Sequence, residues 1–575
     1  MDHSGILFLK VSGLGAGYIL MLFLLFAYFR FTNKDIIKVL ASKMDRKIRK
    51  VKITRVNVMN RLAHVKKRKV RVKYYLDFNM KLKEIDFNTE IDRSAIIKVF
   101  DQNHLNSIII ESFIFVLIFI LGIFRDNSYF QIPAAASLFL FLTIMIMIAG
   151  ALSFWLRKWA LLAAVVFFLV LNLLMKLEYI SSDYKAYGMD YAQEPKKYSL
   201  ETIKNSNNPE QVKQDKEVTL EILKGWRKKF PEGTKPKMVM ICTSGGGQRA
   251  ALWTVKSLQV ADSITNGSLL EHTILITGAS GGLVGAGYFR ELYLQKKSGK
   301  NIDLQAEEYP VNISKDVLNP MIFSLLVNDF FISLQSFRYS GHEYLKDRGY
   351  SFEQRLNHNT HSILDKPLGA YTEPEKQNLI PLLFLAPNIM NDGRKLFISS
   401  QSVTYMNIDA PSDHEIHDEK IKGIDFKSFF LDHGSQNLRF LTALRMNATF
   451  PYITPNISLP SNPPMKIMDS GISDNFGIGD AIRFLYVFND WISENTSGVI
   501  FLSIRDSPKD KKIKDTHKDS LLDKVFVPIS SLYKNFDNIQ DFNNDGQIEY
   551  ARRWFKGNIV KLDIQYFAET TDDLS

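Results

Sequence analysis

Two patterns of hydrophobic residues divide the chain. From Lys237 onward, short apolar runs alternate with helix-like segments, a pattern typical of a parallel sheet with helices on both faces. Before it lie stretches about as long as the roughly 20 helical residues that cross a bilayer. They are Gly13–Phe29, Ser107–Phe124, Ile132–Ser153 and Trp159–Met175. The sequence therefore predicts an α/β fold preceded by an α-helical transmembrane region.

These patterns predict three regions along the chain. Residues 1–176 form a membrane region with about four transmembrane helices and a basic loop at 30–106. Residues 177–235 are polar and predict a linker with a short helix, and residues 236–575 predict the α/β domain. The strand-like runs of that domain are KMVMIC, HTILITG, LIPLLFLAPNIM, GRKLFISSQ and SGVIFLSIRDS. The last of these runs ends the predicted sheet.

The net charge of +11 includes a dense basic run between Lys34 and Lys73. Cationic segments beside apolar helices are the usual sign of the cytoplasmic side of a membrane, where anionic lipid attracts them. We therefore interpret this run as a topology signal and not as a nucleic-acid site. Placing it inside, together with Arg157 and Lys158, puts the α/β domain outside. The prediction is a multi-pass protein of a bacterial inner membrane with an extracytoplasmic α/β domain.

Metal chemistry is not indicated. The single cysteine, Cys242, excludes internal disulfides and thiolate clusters. The stretch from Asp541 to Gly546 has the spacing of a calcium loop, but its twelfth position is Arg552, where a bidentate glutamate should bind the ion. We expect a solvated turn there, with no metal and no cofactor.

The stretch LITGASGGLVGAGYFREL, residues 275–292, places a serine among glycines between a strand-like and a helix-like run. Its segment 278–282 fits G-x-S-x-G, in which the serine hydroxyl stands exposed on a tight strand-to-helix turn. The alternative is a dinucleotide loop. In that pattern Val284 would occupy the position of the glycine that lets helix and strand approach. A serine nucleophile is favoured, and a membrane-tethered nucleotide-binding reductase is the alternative.

Two further motifs suit a serine nucleophile. SGGGQRAAL, residues 244–252, opens a helix with consecutive glycines whose N–H groups can converge on an oxyanion. Arg249 in this motif either anchors the loop or adds positive potential. Further along, IMDSGISDNFGIGDAIRFL places Asp469 at the end of an apolar run, just before a turn and a helix.

In this order, and from about Lys237 to Phe484, the motifs resemble those of the patatin-like phospholipase family. That family has a G-G-G-x-[RK]-G loop, a G-x-S-x-G serine and a late Asp-Gly-[GA] aspartate. The resemblance implies a three-layer α/β/α patatin-like domain that acts as a lipid acyl hydrolase through a Ser–Asp dyad, without histidine. It implies Ser280 as nucleophile and Asp469 as general base, an oxyanion hole at Gly245, Gly246, Gly247 and Arg249, and a nucleophile elbow at Gly278 and Gly282.

Three positions depart from the family pattern. Ala250 and Ser470 stand where the family has glycine, and Asn447 stands where it usually has a small residue. The last two would narrow the pocket or reduce activity, so a catalytically inactive patatin-fold membrane scaffold is a second alternative. The implied substrate is a membrane phospholipid or another lipid ester, as for a phospholipase A or lysophospholipase. No nucleic-acid or protein partner is implied.

Overall fold

A computed structural model of the chain describes part of its 575 residues. The described residues are 3–32, 74–76, 81–84, 112–124, 132–177, 184–329, 335–408, 421–450, 453–509 and 521–567. They fall into two compact units, Met1–Ile120 and Leu121–Ser575. Most of the predicted basic loop lies outside the described residues, and the features discussed below belong to the second unit.

The helices are labelled in chain order. They are α1 (His3–Thr32), α2 (112–123), α3 (Ala134–Leu156), α4 (Ala160–Lys176), α5 (Leu200–Asn205), α6 (Pro209–Arg227), α7 (Gly247–Ile264), α8 (Leu269–His272), α9 (Ser280–Lys297), α10 (Glu308–Ser314), α11 (Leu318–Ser324), α12 (Arg348–Asn359), α13 (Thr372–Lys376), α14 (Phe426–Phe429), α15 (Phe440–Asn447), α16 (Gly471–Asp474), α17 (Ile478–Val487), α18 (Asn489–Asn495) and α19 (Leu521–Trp554).

The strands are labelled in the same way. They are β1 (Tyr74–Leu76), β2 (Leu82–Glu84), β3 (Tyr184–Lys185), β4 (Lys196–Lys197), β5 (Met238–Thr243), β6 (Thr273–Gly278), β7 (Ser336–Tyr339), β8 (His342–Leu345), β9 (Leu382–Leu385), β10 (Asn388–Ile389), β11 (Lys395–Phe397), β12 (Gly423–Asp425), β13 (Ile457–Leu459), β14 (Ser461–Asn462), β15 (Met465–Met468), β16 (Gly498–Arg505) and β17 (Asn558–Gln565).

The first sheet has five parallel strands in the order β17-β16-β5-β6-β9. Alternate residues of β5 enter different hydrophobic clusters: Ile241 belongs to one, and Met240 and Cys242 to the other. Because successive side chains of a strand point to opposite faces, both faces of this sheet are buried. The predicted α/β fold with a parallel sheet is confirmed.

The second sheet is mixed and built from shorter strands in the order β12-β11-β10-β15-β13-β3. Strand β15 lies antiparallel between β10 and β13. Residue 469 follows β15 directly, so this sheet brings the predicted aspartate to the site, whereas the first sheet brings the predicted serine.

The predicted end of the sheet and the predicted linker both differ from the structure. The sheet does not end with β16, because β17 continues it as a parallel neighbour. The segment 184–235 is not a linker: β3 pairs with β13, and α6 buries Leu223 and Trp226 in the core. Its polar composition reflects the exposed face of α6, since only every third or fourth residue of an amphipathic helix faces the core.

Helices occupy the stretches that were predicted to span a membrane, but no described helix is both long and apolar enough to cross one. Helix α4 has 17 residues, against the roughly 20 that a span requires. One side of α3 packs within the second unit, where Asn319 Oδ1 accepts the N–H of Ala134 at 2.7 Å and Ser137 is buried. The predicted multi-pass membrane location is therefore contradicted.

Candidate active site

Ser280 occupies the turn between β6 and α9 and is the first residue of that helix. Its φ is +47°, in the left-handed region that non-glycine residues rarely adopt, and Gly278 before it has a φ of +150°. Such a conformation costs on the order of 1–3 kcal/mol and persists only where surrounding contacts hold it. The turn places the half-buried serine at the N-terminus of α9, where the helix dipole favours negative charge.

The contacts that hold this turn are between backbones. A Cβ atom on Gly281 would overlap the carbonyl oxygen of Gly247, and one on Gly282 would overlap the carbonyl oxygen of Ser244. Only glycine lets α9 approach the loop after β5 this closely. The predicted serine and the glycine-rich loop are thus packed directly against each other.

The three glycines predicted for the oxyanion hole differ in their hydrogen bonds. The N–H of Gly245 already donates to Asn475, at 3.0 Å to its backbone oxygen and 3.1 Å to Oδ1. Among the described residues, no acceptor is found for the N–H groups of Gly246 and Gly247, which open α7. Gly246 and Gly247 are therefore the available donors for an oxyanion.

Arg249 anchors the glycine-rich loop. Its Nη2 lies 2.8 Å from Oδ2 of Asp506, and its guanidinium lies over the ring of Tyr566. The N–H of Asp506 in turn donates to Ser244 Oγ at 2.9 Å. The arrangement decides between the two roles that the sequence left open, since this guanidinium is bound to a carboxylate and serves as an anchor.

Asp469 is buried, with 4% of its surface exposed. Its carboxylate Oδ1 accepts the N–H of Gly471 at 2.8 Å, and Asn388 Nδ2 donates to its backbone oxygen at 2.9 Å. Among the described residues, Oδ2 has no partner in full hydrogen-bond geometry. One oxygen of the carboxylate is thus fixed by its own turn, and the other is available.

Burial raises the pKa of Asp469 to about 6, while the N–H of Gly471 and the hydroxyl of Ser280 act to lower it. The last contribution indicates that the Ser280 hydroxyl lies near the carboxylate, without a hydrogen bond of full geometry between them. A carboxylate with a pKa near 6 is a better general base near neutral pH than an ordinary aspartate.

Asn447 and Ser470, which depart from the family pattern, act as backbone connectors. Asn447 Oδ1 accepts the buried N–H of Ala386 at 3.0 Å, and its Nδ2 donates to the carbonyl oxygen of Gly278 at 3.4 Å. The hydroxyl of Ser470 donates to the backbone oxygen of Asn447 at 3.2 Å. These contacts link the ends of β6 and β9 to the aspartate turn. No local pattern along the chain indicates such long-range pairing.

Two histidines, His272 and His433, contact backbone oxygens of other segments. His272 Nδ1 lies 3.0 Å from the backbone oxygen of Lys237, at the start of β5. His433 is buried, and its Nε2 lies 3.0 Å from the backbone oxygen of Glu194. The segment 184–197 covers His433.

Features of the alternative functions lie apart from the serine turn. Tyr293 and Lys297 have the Tyr-x-x-x-Lys spacing that belongs to the reductase alternative. They fall about 20 Å or more along α9 from Ser280, at 1.5 Å per residue, and Lys297 pairs with Glu271. The stretch with calcium-loop spacing is part of helix α19, so the predicted turn is wrong; Asp541 there pairs with buried Arg505. No cluster of three metal-ligating side chains occurs in the part of the chain that the structure describes.

Comparison with known proteins gives little further information. No family model matches the chain, and no curated protein matches it. Thirteen chains of solved structures do match. One is VipD from Legionella pneumophila, at 10% identity and a TM-score of 0.23, over 59% of this chain. The match spans 64% of the length of that VipD chain.

Proposed function

We propose that the chain is a serine acyl hydrolase of the patatin-like kind, with Ser280 as nucleophile and Asp469 as general base. The observation that carries the proposal is a serine on a strained strand-to-helix turn near a buried carboxylate, whose second oxygen has no hydrogen-bond partner among the residues that the structure describes. The proposed substrate class, a phospholipid or another lipid ester, comes from the resemblance of the motifs.

In the proposed reaction, Ser280 Oγ attacks the ester carbonyl carbon while Asp469 Oδ2 accepts the hydroxyl proton. The carbonyl oxygen becomes an oxyanion that accepts hydrogen bonds from Gly246 and Gly247. When the oxyanion collapses, the ester C–O bond breaks, the leaving alkoxide takes the proton from Asp469, and an acyl-serine remains. Water then attacks the acyl carbon, and Asp469 accepts the proton of that water and returns it to Ser280 Oγ.

The surrounding charges favour this sequence of steps. Helix α7 begins at Gly247 and α9 begins at Ser280, so the positive ends of two helix dipoles face the position where the oxyanion would form. Arg249 is already paired with Asp506, which leaves the backbone N–H groups as the proposed stabilising donors.

Labelling with a fluorophosphonate probe, which reacts with activated serines, tests the proposal. We expect the wild-type chain to be labelled, Ser280→Ala to be unlabelled, and Asp469→Asn to be labelled about 10²- to 10⁴-fold more slowly, the usual worth of a general base. Ser263→Ala, an exposed serine on α7, is the control and should be labelled like the wild type. Labelling retained in Ser280→Ala, or absent from the wild type, would overturn the proposal.

A further inference from the structure

Two amide side chains outside the dyad connect three parts of the candidate site. Asn475 directly follows α16, the short helix after Asp469, and Gln540 lies on α19 with 8% of its surface exposed. Gln540 lies outside the motifs on which the proposed function rests, and Asn475 lies within the stretch quoted around Asp469 but outside its Asp-Gly-[GA] motif. Both residues form hydrogen bonds to backbone groups of the site.

Gln540 closes the turn that carries the aspartate. Its Nε2 donates to the backbone oxygens of Gly471 and Ile472 at 2.9 and 3.1 Å, and its Oε1 accepts the N–H of Asn475 at 2.6 Å. A helix as short as α16 cannot satisfy these groups by its own bonds. The N–H of Gly471 also holds Oδ1 of Asp469, so the position of this turn sets the orientation of the carboxylate.

Asn475 joins the same turn to the glycine-rich loop. Its backbone oxygen and Oδ1 both accept the N–H of Gly245, and its Nδ2 donates to Asp537 on α19 at 3.1 Å. A Cβ atom on Gly245 would overlap Asn475 Oδ1 and would lie 3.4 Å from the Cβ of Ser280. Asn475 therefore meets the loop right beside the proposed nucleophile.

We propose that Gln540 and Asn475 are positioning residues. They hold the turn that follows Asp469 and the glycine-rich loop in a fixed position relative to each other. This inference rests on the proposed function. Neither side chain touches the reacting atoms: Gln540 acts on the carboxylate of Asp469 through Gly471, and Asn475 acts on the oxyanion donors through Gly245. A displacement of about 1 Å between catalytic groups can cost about 100-fold in rate, which is the effect that these amides prevent.

The test uses neutral substitutions so that no new charge acts on Asp469. Gln540→Met keeps the approximate volume and removes the hydrogen bonds, and Asn475→Ala removes the second connection. Gln547→Met is the matched control, because Gln547 is an exposed glutamine two helical turns further along α19. For each full-length variant, the rate of fluorophosphonate labelling at Ser280 is measured against pH, and thermal unfolding shows which variants are folded.

We expect Gln540→Met and Asn475→Ala to be labelled about 10- to 100-fold more slowly than the wild type. In the plot of labelling rate against pH, the midpoint of the acid limb should move to lower pH. Burial is the main cause of the raised pKa of Asp469, and a loosened turn admits water, which lowers that pKa. Gln547→Met should match the wild type. If Gln540→Met does not fold, Asn475→Ala carries the test.

Two results would overturn the positioning role. One is labelling of the folded Gln540→Met and Asn475→Ala variants as fast as that of the wild type. The other is slower labelling of these variants with an unchanged or raised midpoint in its pH dependence, which indicates lost stability alone. Failure of the proposed function gives a different result, because wild type and Gln547→Met would then both lack labelling at Ser280.

Discussion

The serine and the aspartate of the candidate site are held in two different ways. On the serine side, backbone packs against backbone, as where Gly281 meets the carbonyl oxygen of Gly247. On the aspartate side, amide side chains bridge backbone groups, as Asn388, Asn447 and Gln540 do. Backbone contact restricts a position to glycine and so leaves a motif in the sequence. An amide bridge leaves none, because its partner is distant in the chain.

The largest effect should come from adding a methyl group on the serine side. In Gly281→Ala, the new Cβ would overlap a backbone oxygen that cannot move aside. We expect fluorophosphonate labelling to fall at least about 100-fold and the free energy of unfolding to fall by 1–3 kcal/mol or more, as roughly expected for overpacking. Gly287→Ala on the same helix is the control, since its Cβ would lie 3.2 Å from the flexible end of Leu444. Similar behaviour of both variants would contradict the backbone-contact explanation.

The aspartate should reduce the stability of the fold near neutral pH. Its folded pKa of about 6 lies above the ordinary value of 3.8, so the stability gained from the bound proton is present below about pH 4 and is lost as the pH rises to about 6. Asp469→Asn should therefore be more stable than the wild type at about pH 8, by up to about 3 kcal/mol. Chemical denaturation at both pH values measures this, and the difference should nearly vanish at about pH 4. A less stable Asp469→Asn at about pH 8 would contradict the raised pKa.

Removing an amide bridge should have an intermediate effect. Asn447→Ala leaves the buried N–H of Ala386 without an acceptor, which should cost about 1–3 kcal/mol of unfolding free energy and slow labelling. Asn391→Ala is the control: Asn391 also bridges two backbone groups, those of Pro464 and Lys466, but it is exposed, so water can replace it. Equal destabilisation by the two variants would show that the buried bridge has no special role.

The smallest effect should come from Ser470→Gly, which introduces the residue of the family pattern. Ser470 has ordinary right-handed backbone angles, so glycine is not required there. The change removes one hydrogen bond to Asn447, worth about 1 kcal/mol, and should leave labelling near the wild-type rate. A large change in labelling rate would mean that this hydroxyl affects the site directly.

The sequence predicted those parts of the fold that have a local cause. Continuous apolar runs identified β5, β6 and β16, because buried parallel strands are apolar on both faces. Strand β17 was missed because its apolar and polar residues alternate at the sheet edge. Residues 541–546 resemble a loop in composition, but they are helical because α19 buries Ile548 and pairs Asp541 with Arg505.

The candidate site also has residues that the sequence predicts and residues that it does not. The glycines around Ser280 could be found from the sequence because a close backbone contact requires glycine at these positions. Asn475 and Gln540 could not, since their roles depend on partners in other elements. The apolar runs before Lys237 predicted helices at these positions, but helical periodicity and apolarity did not determine that the helices cross a membrane.

The most direct measurement is a crystal structure of the chain after reaction with the fluorophosphonate. We expect phosphorus to be bonded to Ser280 Oγ and a phosphoryl oxygen to lie roughly 2.7–3.1 Å from the N–H groups of Gly246 and Gly247. Oδ2 of Asp469 should lie within hydrogen-bond reach of the modified oxygen. Phosphorus on another residue, or a phosphoryl oxygen directed away from both glycines, would contradict the account.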